Sequence, residues 1–199
     1  MENILEEYKK QKEEIKSKLK EFKNLKEARQ FQELLFCLLT PQSNAQRCWQ
    51  AVEEITKLRK LDEKSVFNIL KTKTRFHITK TNYILNAGET WKKIKPIIKN
   101  QNIPQLRENI AQKLNGMGLK EASHFLRNIG KSENKIAILD RHILKNLQKF
   151  NLIKETKIKS QKHYLQIESI YLNFANSINI PADELDMLWW SQENGEIFK

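Results

Sequence analysis

Two residues of this sequence carry reactive groups in settings that suit one reaction. Lys120 lies in "LNGMGLKEASHFL", residues 114–126, which places Gly116 and Gly118, two of the five glycines in the chain, around Met117. Asp140 lies in "AILDRHIL", directly before a segment of helical apolar spacing. A lysine amine is a nucleophile when neutral, a form favoured beside a helix N-terminus and in a desolvated cleft. A carboxylate held against a reacting group stabilises positive charge that develops there. Taken singly, Asp140 is explained as a helix N-cap and Lys120 as a surface lysine. Joined to a glycine turn that presents backbone N–H groups to a phosphate, they point to chemistry on a nucleotide sugar.

The hairpin needs a helix on each side. A helix ending near Leu114, the turn Asn115-Gly116-Met117-Gly118 and a helix starting at about Leu119 satisfy this, the glycines permitting positive φ and close backbone approach. Leu114, Met117, Ala122, Phe125 and Leu126 are spaced to pack the two helices together.

The rest of the chain also follows helical periodicity. In residues 2–23, Ile4, Tyr8, Ile15, Leu19 and Phe22 share one face, and lysine and glutamate fill the other. "EARQFQELLFCLL" predicts a helix ending near Thr40-Pro41, because the residue before a proline is pushed out of helical geometry. Ser43 and Gln46 have the spacing of a capping box for a helix over 44 to about 58, and Asp62 suits a cap for 63–71. "TKTNYILNAGETWKKI" continues the pattern, and helices near 104–113, 119–129, 141–150, 161–178 and 182–192 follow, Pro104 and Pro181 suiting first turns. Only "KIAIL", 135–139, resembles a strand, and its place between Gly130 and Asp140 makes it a buried connector. "GKSENK", 130–135, is a polar break that suits a lobe boundary.

Charge narrows the partner. The 36 lysines and arginines exceed the 24 acidic residues, for a net +12, which favours a polyanion. Basic residues are mixed with acidic ones on most helices, which disfavours a membrane-surface role. The start of the chain lacks the apolar core of a signal peptide and no apolar run would span a bilayer, so an intracellular, cytoplasmic protein is expected. Cys37 and Cys48 are too few for a disulfide scaffold or a four-cysteine cluster and read as small core residues or surface thiols. His77, His124, His142 and His163 show no paired metal spacing, so no metal and no cofactor is expected.

"GLKEASHFLRNIG…AILDRHIL" resembles the helix-hairpin-helix DNA glycosylase superfamily, and specifically its compact type 2 8-oxoguanine DNA glycosylase/AP lyases. "FCLLTPQSNAQ", "TRFHITK" at 74–80 and "DMLWWSQENGEIFK" extend the likeness over most of the chain. The resemblance implies an all-α protein of two helical lobes with the active cleft between them. One lobe would span 25–133 and carry the helix-hairpin-helix at about 110–130, and the other would join 1–24 to 134–199. It implies that Lys120 forms a Schiff base at C1′, that Asp140 stabilises the charge there, and that the backbone of Gly116, Met117 and Gly118 holds a DNA phosphate. It implies that Phe76 and Trp190 wall a pocket for the extruded base and that Lys199 helps read the oxidised base, while Gln42 either fills the gap the base leaves or stays in the cleft wall. The expected partner is double-stranded DNA containing 8-oxoguanine, bound by a monomer near the nucleoid. Two alternatives stay open at this level. One is a non-catalytic helix-hairpin-helix DNA-binding module in which Lys120 contacts phosphate. The other is a glycosylase of different base specificity.

Overall fold

A computed structural model describes residues 2–99 and 102–199. Among these the chain is helical and contains no strand. Its α-helices are α1 (Glu2–Lys23), α2 (Glu27–Leu39), α3 (Ala45–Ile55), α4 (Glu63–Lys73), α5 (His77–Ile94), α6 (Ile103–Lys113), α7 (Leu119–Asn128), α8 (Arg141–Lys149), α9 (Gln161–Ser177) and α10 (Ala182–Asn194), with a 3₁₀ turn over Lys95–Lys99. No described helix is long and apolar enough to cross a membrane.

The chain divides into two compact units, one of 25–125 and one joining 1–24 to 126–199. Whereas the sequence suggests a boundary at 133, the second division falls between Phe125 and Leu126, inside α7. The last turn of α7 belongs with the terminal helices for an electrostatic reason. Arg127 is almost fully buried and pairs with the equally buried Asp186 of α10 at 3.2 Å, and a buried guanidinium must stay with its carboxylate.

In the 25–125 unit, α2 packs on α3 and α5, α3 on α4, α4 on α5, and α5 on α6. The core of α2 is continuous from Leu34 to Leu39, apolar all round because its neighbours cover more than one face. Trp91 of α5 meets Phe125 of α7 edge-on at 6.2 Å and Phe31 of α2 at 5.9 Å. Asp62 caps α4 as expected, accepting from the Ser65 N–H. Ser43 is not the cap of α3. Asn44 takes that position, its side chain accepting from the Arg47 N–H at 3.0 Å, and Ser43 Oγ is engaged elsewhere. Both cysteines are buried, and burial pushes the Cys48 thiol up to about 11.

In the other unit, α10 packs against α1, α8 and α9. Ile4, Tyr8, Ile15 and Phe22 of α1 are buried, and the Tyr8 hydroxyl donates to Glu184. Trp189 lies among Phe150, Tyr171 and Phe174, with ring centroids 5.9 Å apart in each pair. Pro181 stands at the N-cap of α10, just before the first turn the sequence assigns it. The segment 136–139 is buried without regular structure, as a connector. Its backbone groups are met by side chains of α9: the Ala137 N–H donates to Glu168 at 2.7 Å, and the Tyr164 hydroxyl donates to the Ala137 carbonyl at 2.6 Å. A buried loop is stable only when such partners replace water.

Gly130 ends α7. Its φ is +66°, its N–H donates to Arg127 O and the Lys131 N–H donates to Leu126 O, the paired bonds of a Schellman motif. A Cβ on Gly130 would lie 2.5 Å from the Cα of Lys23, a backbone atom that cannot swing away. Gly130→Ala combines left-handed strain with that clash and is expected to cost at least about 2 kcal/mol, lowering Tm by about 4–8 °C. Gly88→Ala, with open space around the added Cβ inside α5, is the matched control and should raise Tm slightly. A thermal melt of the two variants checks the contrast. Equal Tm values would mean that the Gly130 turn yields without cost.

Candidate active site

Lys120 projects from the first turn of α7 with one third of its side chain exposed, its ammonium 2.9 Å from Glu121 Oε1. Local geometry puts it there. Gly118 N–H donates to Glu121 Oε2 at 3.2 Å, the carboxylate half of a capping box with glycine in the cap position. Glu121 therefore holds both the hairpin and the lysine. The spacing Gly118-Leu-Lys-Glu121 carries this signal in the sequence.

The two hairpin glycines do different work. Gly116 has φ +86°, and a Cβ there would overlap the ring of Tyr83, 2.2 Å from Cε2. Gly118 is not left-handed; a Cβ there would lie 3.2 Å from Glu121 Oε2, so the absent side chain lets that carboxylate approach its N–H. The Met117 N–H closes the turn on Leu114 O at 3.2 Å. Leu114, Met117, Ala122 and Phe125 are buried, so the hairpin is pinned from below by the residues the sequence spacing selects.

Asp140 stands at the end of the buried 136–139 connector and caps α8. Oδ1 accepts from the N–H groups of His142 at 2.8 Å and Ile143 at 2.9 Å. The cap uses one carboxylate oxygen and leaves Oδ2 outside it, so capping and charge stabilisation are compatible in one side chain. Behind it, burial pushes Asp186 up to about 7, the charges of Asp140 and Asp183 adding to the shift while Arg127 opposes it.

Trp190 is half-buried and stacks on Phe198 with centroids 6.4 Å apart. Lys199 is 7% exposed, its ammonium 5.8 Å from the centre of the Phe22 ring and 6.0 Å from that of Phe198. The chain end is packed on α1. Asp140, Trp190 and Lys199 thus belong to the unit of 1–24 and 126–199, and Gln42, Phe76, Gly116, Met117, Gly118 and Lys120 to the unit of 25–125.

Gln42 and Phe76 share an unusual backbone. Both are left-handed, with φ 55° and 57°, and Phe76 exposes 55% of its surface. Each costs about 1–2 kcal/mol relative to ordinary geometry, and such strain persists only where the surroundings hold it. Sequence spacing does not reveal the buried group beside them. Lys80, one turn into α5, is 3% exposed and donates to Leu39 O at 2.7 Å, Pro41 O at 2.8 Å and Ser43 Oγ at 2.9 Å. Ser43 Oγ also accepts from the Arg75 N–H at 2.9 Å. The signal that Lys80 is buried is absent from the sequence, because a lysine inside an amphipathic helix ordinarily faces water.

The four histidines take ordinary packing and polar roles: His77 lies against Phe67, His124 against Phe36, His142 is 3.3 Å from Glu193, and His163 accepts from the Lys159 N–H. Among the described residues no group of His, Cys, Asp or Glu is arranged to hold a metal ion.

The family model for 8-oxoguanine DNA glycosylase matches residues 15–180. An 8-oxoguanine DNA glycosylase/AP lyase of Fusobacterium nucleatum is 41% identical, covering 96% of this chain and 94% of its own length. The enzyme of the same description from Methanocaldococcus jannaschii is 36% identical over 90% of this chain and 87% of its own. Among solved structures, the M. jannaschii 8-oxoguanine glycosylase/lyase in complex with a 15mer DNA containing 8-oxoguanine superposes with TM-score 0.87 at 32% identity, covering 100% of both chains. The 8-oxoguanine DNA glycosylase of Thermotoga maritima superposes with the same TM-score, 0.87, at 29% identity over 100% of this chain and 97% of its own.

Proposed function

Because the chain belongs to the 8-oxoguanine DNA glycosylase family, we propose that it finds 8-oxoguanine in double-stranded DNA, extrudes and excises it, and nicks the abasic site through a Schiff base on Lys120. It is a base-excision-repair enzyme, both DNA glycosylase and AP lyase, and not a passive DNA-binding module. The observation that carries the residue assignment is the position of Lys120, one-third exposed on the first turn of α7 behind the Gly116 hairpin.

The reaction follows from the groups present. As the C1′–N9 bond breaks, the electron pair leaves with the purine, which takes up a proton, and positive charge grows on the deoxyribose. The Asp140 carboxylate stabilises that charge through the oxygen its helix cap does not use. Neutral Lys120 Nζ attacks C1′; a proton then passes from that nitrogen to O4′ as the C1′–O4′ bond breaks and the ring opens, which leaves the protonated Schiff base. The iminium acidifies C2′–H. Removal of that proton expels the 3′ phosphate, and water then hydrolyses the imine and frees the amine. Lys120 must first part from Glu121, which holds it in this structure.

The remaining roles belong to the same reading. Phe76 and Trp190 stack on the extruded base, Lys199 reads it, Gln42 fills the vacated space, and the 116–118 backbone takes a phosphate as the Gly118 N–H exchanges Glu121 for it. We take the protein to act as a monomer at the nucleoid inside the cell, on DNA and not on membranes.

Incubation with a duplex bearing 8-oxoguanine opposite cytosine, in EDTA with borohydride, tests the activity. Base release and a covalent protein–DNA adduct are expected, with little release from an undamaged duplex. Release of a different oxidised base alone would replace the substrate. Salt-sensitive binding without release or adduct would leave only a DNA-binding role.

A further inference from the structure

We infer that Lys80 is a positioning residue for base excision, its ammonium locking the 40–43 turn to the start of α5 so that Gln42 and Phe76 reach the DNA as one rigid element. The inference rests on the roles proposed above for those two residues. The geometry is a hub. Nζ carries three N–H bonds, and each meets an acceptor: the carbonyls of Leu39 and Pro41, which flank the end of α2, and the hydroxyl of Ser43. Ser43 passes the constraint on by accepting from the Arg75 N–H. Gln42 adjoins Ser43 and Phe76 adjoins Arg75, so the two left-handed residues lie one residue to either side of a single hydrogen bond.

A buried charge with all three donors used is a stronger fixture than a neutral side chain, because each bond is charge-assisted and the lysine is almost fully buried. Lys80 touches no proposed reacting atom. It acts on the two side chains that meet the extruded base and its vacated space, which a packed core alone would leave to relax out of their strained backbone.

The charges facing Lys80 are few. Burial pulls its amine down to about 8, the charges of Arg75 and of Lys120 on α7 acting in the same direction and Cys48 on α3 against it. The guanidinium does not titrate in this range, and the Cys48 thiol, pushed up to about 11, stays protonated. Below about pH 8 the ammonium keeps three donors. Above it the neutral amine has two, one of the three bonds is lost, and the turn loosens.

The test separates two steps of one reaction. Single-turnover release of 8-oxoguanine needs the flipped base to be held, whereas nicking of a duplex with a preformed abasic site needs only Lys120 and the sugar. Lys80→Met should slow base release roughly 100-fold, the scale of a misplaced recognition element, while abasic-site nicking stays within about threefold. Ser43→Ala, which keeps the lysine charge and cuts the link to Arg75, should slow release roughly 10-fold and leave nicking alone. In the wild type, release should decline above about pH 8 in a limb that nicking does not share; a limb arising from Lys120 itself would appear in both.

If Lys80→Met does not fold, Ser43→Ala and the wild-type pH comparison decide. Variants that release base at the wild-type rate, or that lose release and nicking in equal measure while folded, overturn the positioning role. A wild-type protein that releases no 8-oxoguanine overturns the substrate reading first, a result distinct from either.

Discussion

Lys120→Gln is expected to yield no borohydride-trapped adduct and to lose at least about 10³-fold in nicking of abasic DNA, the scale on which removing a covalent nucleophile registers. The substitution should not unfold the protein. Lys120 pairs with Glu121 on a partly exposed helix start, and such pairs contribute at most about 1 kcal/mol. Glu121 keeps its bond from the Gly118 N–H, so the hairpin stays closed. Duplex affinity should fall only by the loss of one positive charge, with a correspondingly smaller salt dependence. Trapping, nicking and a binding titration in varied salt read all three. An adduct at wild-type yield would move the nucleophile elsewhere in the chain, and a loss of binding that matches the loss of nicking would reduce Lys120 to a phosphate contact.

Asp140 allows a cleaner dissection because its helix cap uses one oxygen and the proposed charge stabilisation the other. Asp140→Asn keeps an acceptor for the His142 and Ile143 N–H groups, and asparagine caps helices as well as aspartate does. Stability should change by less than about 0.5 kcal/mol. What disappears is the charge, and base release should fall about 10²- to 10³-fold, the usual result of removing one preorganised electrostatic group. Asp140→Ala loses both functions: a similar fall in rate, plus about 1 kcal/mol from the vacated cap. Single-turnover excision and thermal melts of the two variants separate the duties. Full activity in Asp140→Asn would make the residue a cap and nothing more.

The distribution of these roles shows what one-dimensional information carries. Helix positions are legible because amphipathic period and end signals are local. The apolar face of α1, the Asp62 and Asp140 caps and the Gly116 turn are each read from residues within one or two turns of one another. The pair Lys120 and Asp140 is legible for the same reason, since each sits at a helix start that its neighbours define. The all-α class and the resemblance that names the chemistry rest on such local patterns.

Other features depend on contacts between residues far apart in sequence. Ser43 has the spacing of a capping box, yet Lys80 and the Arg75 N–H, 37 and 32 positions away, draw its hydroxyl off the helix and leave capping to Asn44. No local pattern shows where the side chain of Lys199 lies, and it is buried where it packs over Phe22 of α1, far away in the sequence. The polar break at 130–135 suggests a boundary, but the buried pairing of Arg127 with Asp186 assigns the end of α7 to the terminal helices before that break is reached. The sequence by itself determined the helices, most of their ends and the placement of Lys120 and Asp140 at helix starts, because those are properties of residues adjacent along the chain. Tertiary structure alone decided which polar groups lie inside, since burying a charge or straining a backbone is stable only when distant parts of the chain supply its partners.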